Sequence, residues 1–275
     1  MEKAIVVRRL SDLNDSAKEY DYIYFGVEFC QWLIPSIADL KTVSAFCKEN
    51  GIGLVLVTPW VTDSGLETAQ KLIAKFLEDE DKLEVLVNDF GLLKLINDEF
   101  KGKVTVTLGR LLSNQRRDPR TLPLKEVGST ELYKHYQHSS FDYQPFIDYA
   151  KTFGVTRVEI DNLEQGVIVP PDLSGVSFSV HYPYNYITVA RNCAFCYDGP
   201  AGLSEDTHNQ STPWANKKGC KKLCIDDDTT LTMKNDEIDE PLYMKGTATF
   251  IKNDDLKDIK DGLVNRLVYS PYIPV

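Results

Sequence analysis

Apolar runs suited to strands alternate along this chain with stretches of helical periodicity, and that order constrains the fold most. "YDYIYFG" at 20–26 is rich in β-branched and aromatic residues and closes on Gly26. Ile37, Leu40, Val43 and Cys47 then recur at helical spacing, with Gly51 as a stop. "GLVLVTPW" at 53–60 is a continuous apolar run, as in a strand buried on both faces of a parallel sheet. Ser64 and Glu67 form a capping-box pattern ahead of the apolar stripe Leu66, Ala69, Leu72, Ile73, Phe76 and Leu77. The alternation continues with "LEVLV" (83–87), the helix-like "FGLLKLINDEF", "KVTVTLG" (103–109), helical "FIDYAKTFG" (146–154), "VTRVEI" (155–160) and "VSFSVHYPY" (176–184).

Repeated βα order with short turns predicts an α/β fold with a parallel sheet closed into a (β/α)8 TIM-barrel-like form, distorted or incomplete. A doubly wound open sheet is the alternative, but no Gly-x-Gly-x-x-Gly turn supports it. After Cys224 the pattern breaks into the acidic, turn-rich "IDDDTTLTMKNDEIDE", so an irregular segment is expected before "GTATFIK" and "NRLVYSP" return as strands. No linker divides the chain. Residues 1–275 read as one domain, with about 225–275 continuing or capping the barrel.

A formal net charge of −10 argues against bulk nucleic-acid binding, which needs a basic surface. The local exception is "GRLLSNQRRDPR" at 109–120, where Arg110, Arg116, Arg117 and Arg120 read either as a solvated basic loop or as a clamp for carboxylate or phosphate. The run "AIVV" at 4–7 is too short for a signal core, and no stretch is long and apolar enough to span a membrane. A cytoplasmic location is therefore expected.

In that compartment clustered cysteines more often hold metal than form disulfides. Cys193-x2-Cys196 and Cys220-x3-Cys224 frame a long polar loop, and both zinc and iron–sulfur clusters accept four such thiolates. Cys47 lies on an apolar helical stripe and reads as core. Local spacing selects Cys193, Cys196, Cys220 and Cys224, and leaves the metal open between the two.

"YFGVEFC" (24–30), "LVNDFGLLKLI" (86–96), "LGRLLSNQRRDPR" (108–120), "RVEIDNLEQGV" (157–167), "HYPYNYITVARNC" (181–193) and "GCKKLC" (219–224) occur in that order, followed by "NRLVYSP". Together they resemble the collagenase-like (U32) peptidase superfamily, especially its UbiU/UbiV-type members of oxygen-independent ubiquinone biosynthesis. The resemblance implies a [4Fe–4S] cluster on Cys30, Cys193, Cys220 and Cys224, with Cys30 in place of Cys196. The stretch "ARNC" is one residue longer than the family's "ARC".

What the resemblance implies about activity is oxygen-independent hydroxylation of a small, ubiquinone-precursor-like substrate, with a homologous partner subunit. Alternatives are a non-catalytic electron-transfer or scaffold subunit of a heterodimer, an RNA-base hydroxylase or peptidase, and a zinc-binding structural protein. No nucleophile–base spacing supports peptidase chemistry. His135 and His138 in "YKHYQHSS" read as an exposed loop before they read as zinc ligands. Barrel strand ends carry functional groups, which makes Asn88, Asp89, Arg110, Glu159, Asp161 and His181 candidate substrate-binding residues. Each has a bland reading too: Asp89 as a helix cap, Glu159 as a paired core carboxylate, His181 as a satisfied core imidazole. No catalytic base is singled out.

Overall fold

Strand β1 (Glu2–Val7) pairs in parallel with β2 (Tyr22–Gly26), which pairs with β3 (Gly53–Val57) across the helix α1 (Ile37–Asn50). A computed structural model describes residues 1–121, 123–127, 129–168, 175–190, 193, 222–225, 229–256 and 264–275. The βα order runs on through α2 (Asp63–Phe76), β4 (Leu83–Val87), α3 (Phe90–Glu99) and β5 (Val104–Leu108). Short helices α4 (Leu124–Val127), α5 (Thr130–Gln137) and α6 (Gln144–Thr152) lead to β6 (Val155–Asp161) and β7 (Ser177–Tyr182). Past the cis bond between Tyr182 and Pro183 come β8 (Tyr184–Val189), β9 (Leu231–Asn235), β10 (Ile238–Lys245), β11 (Ala248–Lys252) and β12 (Val264–Tyr269).

Eight of these strands close a parallel barrel, in the order β1-β12-β7-β6-β5-β4-β3-β2. The expected TIM-barrel-like α/β fold is therefore present. Its helices pack outside through apolar stripes: Leu40, Val43 and Cys47 on α1, and Ala69, Leu72, Ile73 and Phe76 on α2, are all buried against the strands. Gly51 ends α1 in the left-handed conformation (φ 68°), which costs a residue without a side chain little.

The remaining strands form a separate antiparallel sheet, β8-β11-β10-β9, inserted between barrel strands β7 and β12. This corrects three expectations. "VSFSVHYPY" is not one strand, because the chain leaves the barrel at Tyr182–Pro183 and starts β8 in the other sheet. The acidic stretch after Cys224 is not irregular from end to end: Leu231–Asn235 and Ile238–Lys245 pair as an antiparallel hairpin. Most of β9 is exposed, so it lacks the apolar alternation by which a half-buried strand is read. Helix α2 also starts earlier than the capping box implies. Thr62, not Ser64, is its N-cap residue, and the Gln31 side chain accepts the Thr62 backbone N–H at 2.7 Å.

Cys47 is core, as its stripe implies, and burial pushes its thiol up to about 11. A protonated, sheltered thiol is a poor nucleophile. Native protein near neutral pH should therefore leave Cys47 unmodified by iodoacetamide, while the urea-unfolded chain alkylates it fully. Peptide mass spectrometry reads the difference, and equal labelling in both states would contradict the packing.

Candidate functional site

Alternate residues of each barrel strand face inward, and in this barrel many of them are polar. An apolar layer of Ala4, Val6, Tyr24, Val55, Val57, Leu86 and Val268 fills the middle. Around and above it lies a buried network. Tyr24 donates to Glu159 Oε1 at 2.8 Å, and the other Glu159 oxygen meets His181 Nε2 at 2.9 Å. Below, Arg266 Nη1 donates to the Tyr24 hydroxyl at 3.0 Å, and its Nε donates to Glu2 at 2.8 Å.

At the C-terminal end of the barrel Arg110 is fully buried. Its Nε donates to Glu28 Oε1 at 3.0 Å and its Nη2 to the same oxygen. Its Nη1 donates to Asp161 Oδ1 at 2.7 Å and to the Tyr184 carbonyl at 3.0 Å. Arg117 adds an ion pair at 3.0 Å to the second Asp161 oxygen and stacks 3.9 Å over the Tyr186 ring. Asn88 completes the rim: its amide donates to Glu28 Oε2 at 3.3 Å and to the Thr58 carbonyl at 3.0 Å, and its oxygen accepts the Leu111 N–H at 3.1 Å.

Environment sets the protonation of these groups. Burial disfavours the Arg110 cation, but Glu28 and Asp161 outweigh it and raise the pKa. Burial, aided by the Arg110 charge, lowers His181 to about 3, so the ring is neutral. Burial raises Glu159, against the opposing pull of Arg266 and the Tyr24 hydrogen bond.

Asn88, Arg110, Glu159, Asp161 and His181 thus meet in one buried assembly, whereas Asp89 does not join it. Asp89 caps α3, with Oδ1 accepting the Gly91 N–H at 2.8 Å and the Leu92 N–H at 3.1 Å. Sequence reasoning missed Glu28, Tyr24, Arg266 and Gln115, whose side-chain Oε1 accepts the Asp161 N–H at 2.7 Å. The one available signal was a carboxylate between apolar neighbours in "GVEFC". The arginine run is no free clamp: Arg110 and Arg117 are internally paired, Arg120 is held by Asp118, and Arg116 is exposed. His138 pairs with Asp142 at 2.6 Å on an exposed segment. A groove of about 650 Å³ runs between this arginine loop and the small sheet, lined among others by Leu111, Arg117, Arg120, Tyr186, Thr188 and Leu242.

Three of the singled-out cysteines lie among the described residues; Cys196 and Cys220 lie outside them. The residue before Cys30, Cys224 itself and the end of the segment that leads to Cys193 approach one place, the turn between β10 and β11. Cys30 follows Phe29, whose carbonyl accepts the Thr247 hydroxyl hydrogen bond. Ala190, three residues before Cys193, donates its N–H to the Thr247 carbonyl at 2.8 Å. Cys224 packs against the neighbouring Gly246. That glycine has φ 59°, and a Cβ on it would sit 3.6 Å from the Cys224 Cβ and 2.5 Å from Val275 Cγ1. Cys30 and Cys224 are buried, and Cys224 shares an apolar cluster with Phe29, Tyr186, Ala248 and Phe250. Among the described residues, no group of three or more His, Cys, Asp or Glu side chains is placed to hold a metal ion.

Fold and site together define a closed parallel barrel with a charged, internally compensated interior and a small antiparallel sheet bound at its C-terminal mouth. No family model matches the chain, and no curated protein matches it. Among solved structures it is similar to the U32 peptidase Mk0906, at 9% identity and TM-score 0.44, over 100% of this chain and 94% of that one. It is also similar to the multi-modular chitinase ChiW of Paenibacillus sp. strain FPU-7, at 9% identity and TM-score 0.41, over 98% of this chain and 40% of that one. Likeness at this level assigns neither a family nor an activity. Among the described residues no helix is long and apolar enough to cross a membrane.

Proposed function

We propose that the chain is an iron–sulfur barrel protein of the UbiU/UbiV-like type, which holds a [4Fe–4S] cluster on Cys30, Cys193, Cys220 and Cys224. On this reading it acts, with a homologous partner subunit, in oxygen-independent hydroxylation of a small organic substrate. The observation that carries the reading is that Phe29, next to Cys30, Cys224, and Ala190, three residues before Cys193, all meet the Gly246–Thr247 turn. Cys220 precedes Cys224 by one helical turn's worth of sequence. The donor set fits the group: soft thiolates, two of them in buried positions, suit iron–sulfur ligation, and exclusion of solvent tunes its potential.

When bound, such a cluster supplies one-electron chemistry. The chain's own part is to bind and orient substrate. The groove beside Tyr186 adjoins this chemistry, because Tyr186 lines it and also packs in the apolar cluster that holds Cys224.

Protein purified without oxygen and reconstituted with iron and sulfide should be brown and carry about four iron and four sulfide per chain. Metal analysis and visible absorbance measure this. A colourless protein with one zinc per chain would instead support a zinc-stabilised binding protein.

A further inference from the structure

The Glu159–His181 pair leaves one strong polar atom without a protein partner. Glu159 accepts from Tyr24 and lies against His181 Nε2, so the ring proton belongs on Nε2 and Nδ1 keeps its lone pair. His181 is 1% exposed, and its Nδ1 has no hydrogen-bond partner among the described residues. The hydroxyl of Ser270, also 1% exposed, has none either.

His181 lies on β7, and Ser270 directly follows the adjacent strand β12. His181 of β7 is in register with Val268 of β12, an inward residue of the barrel's apolar layer. Ser270 follows two residues later and therefore points inward as well. Its N–H donates to the Tyr182 carbonyl at 2.9 Å, which carries the strand pairing that far. Ser270 thus sits one inward step, roughly 7 Å along the strand, beyond His181 toward the barrel mouth.

The charges facing this spot are already matched. Glu28 Oε1 lies 3.9 Å from Nδ1 but is bound by Arg110. Arg110 is saturated by Glu28, Asp161 and the Tyr184 carbonyl. Glu159 is bonded by Tyr24, and Arg266 beyond it is held by Glu2 and Glu84. A charged ligand would find no unmatched counter-charge here, and burying it unpaired is costly.

We propose that His181 Nδ1 and Ser270 Oγ form a subsite for an uncharged, hydroxyl-bearing ligand at the barrel mouth. The ligand O–H donates to Nδ1, and the Ser270 O–H donates to a ligand oxygen. Glu159 is the positioning residue that fixes the tautomer. The subsite stands apart from the iron–sulfur reading, since its two groups are not thiols and the test needs no cluster.

The test uses the full-length chain labelled with ¹⁵N at histidine, with the His181 signals assigned by their loss in His181→Gln. Phenol is the probe, and anisole, which has no donor, is the control. The free protein should show His181 protonated at Nε2 only. Phenol should shift the Nδ1 resonance saturably while anisole leaves it in place. Ser270→Ala should keep the tautomer but weaken phenol binding about fivefold, the worth of one net hydrogen bond. A proton on Nδ1, no response to phenol, an equal response to anisole, or unchanged phenol affinity in Ser270→Ala would each overturn the subsite.

Discussion

A Cys30→Ser chain, purified without oxygen and reconstituted, is expected to lose most of its visible absorbance and to fall from about four iron per chain to below about one. Cys196→Ser and Cys47→Ser should stay near the parent value. The reasoning turns on which segments a cluster would join. Four thiolates drawn only from 191–224 would bind the cluster within one loop. With Cys30 as a ligand, that loop is tied to the end of β2, where Phe29 already accepts a hydrogen bond from Thr247. Metal-binding free energy then becomes folding free energy, because it joins remote parts of the chain. The Cys30→Ser protein should accordingly lose the gain in thermal stability that reconstitution gives the parent. Cys47 stands apart on α1, packed among apolar side chains. The opposite pattern, a fully loaded Cys30→Ser with an empty Cys196→Ser, would return the site to the local tetrad and sink the carry-over from the family at its most specific residue.

The parts of the barrel that were legible in the sequence are those whose burial is local in origin. β3 is a continuous apolar run, and β4 and β5 are rich in Val and Leu with buried C-terminal halves, so their composition alone marks them as strands. β1 escaped notice because Glu2 and Lys3 dilute its apolar half, and its partner β12 closes the barrel from the far end of the sequence. The inserted sheet escaped because its outer strand β9 is exposed and polar and its order is antiparallel. The candidate site divides the same way. Strand-end position was enough to single out Asn88, Arg110, Glu159, Asp161 and His181. It did not reveal what each one faces: the partners of Arg110 lie 82 and 51 residues away, at Glu28 and Asp161. Pairing at that range is set by barrel closure, and no sequence window contains it.

Those long-range partners make Arg110 the residue whose loss should cost the fold most. Arg110→Met keeps the apolar stem but removes the guanidinium, and with it the charge and the contact with the Phe29 ring, leaving carboxylates buried in the barrel mouth. Removing one member of a buried ion pair costs about 3–5 kcal/mol, a large part of the stability of a domain this size. The two carboxylates should not suffer equally. Asp161 retains Arg117 at 3.0 Å, whereas Glu28 keeps, among the described residues, the Asn88 amide at 3.3 Å as its hydrogen-bond partner. Most of the penalty should therefore sit on Glu28. Adding Glu28→Gln to Arg110→Met should restore more stability than adding Asp161→Asn, because a neutral amide no longer needs a counter-charge. Urea unfolding of the parent, the single and the two double variants measures these differences. A loss below about 1 kcal/mol in Arg110→Met would mean that water or rearrangement reaches the carboxylates readily. Equal rescue by the two second substitutions would mean that the burden is shared, and that Arg117 does little to shelter Asp161.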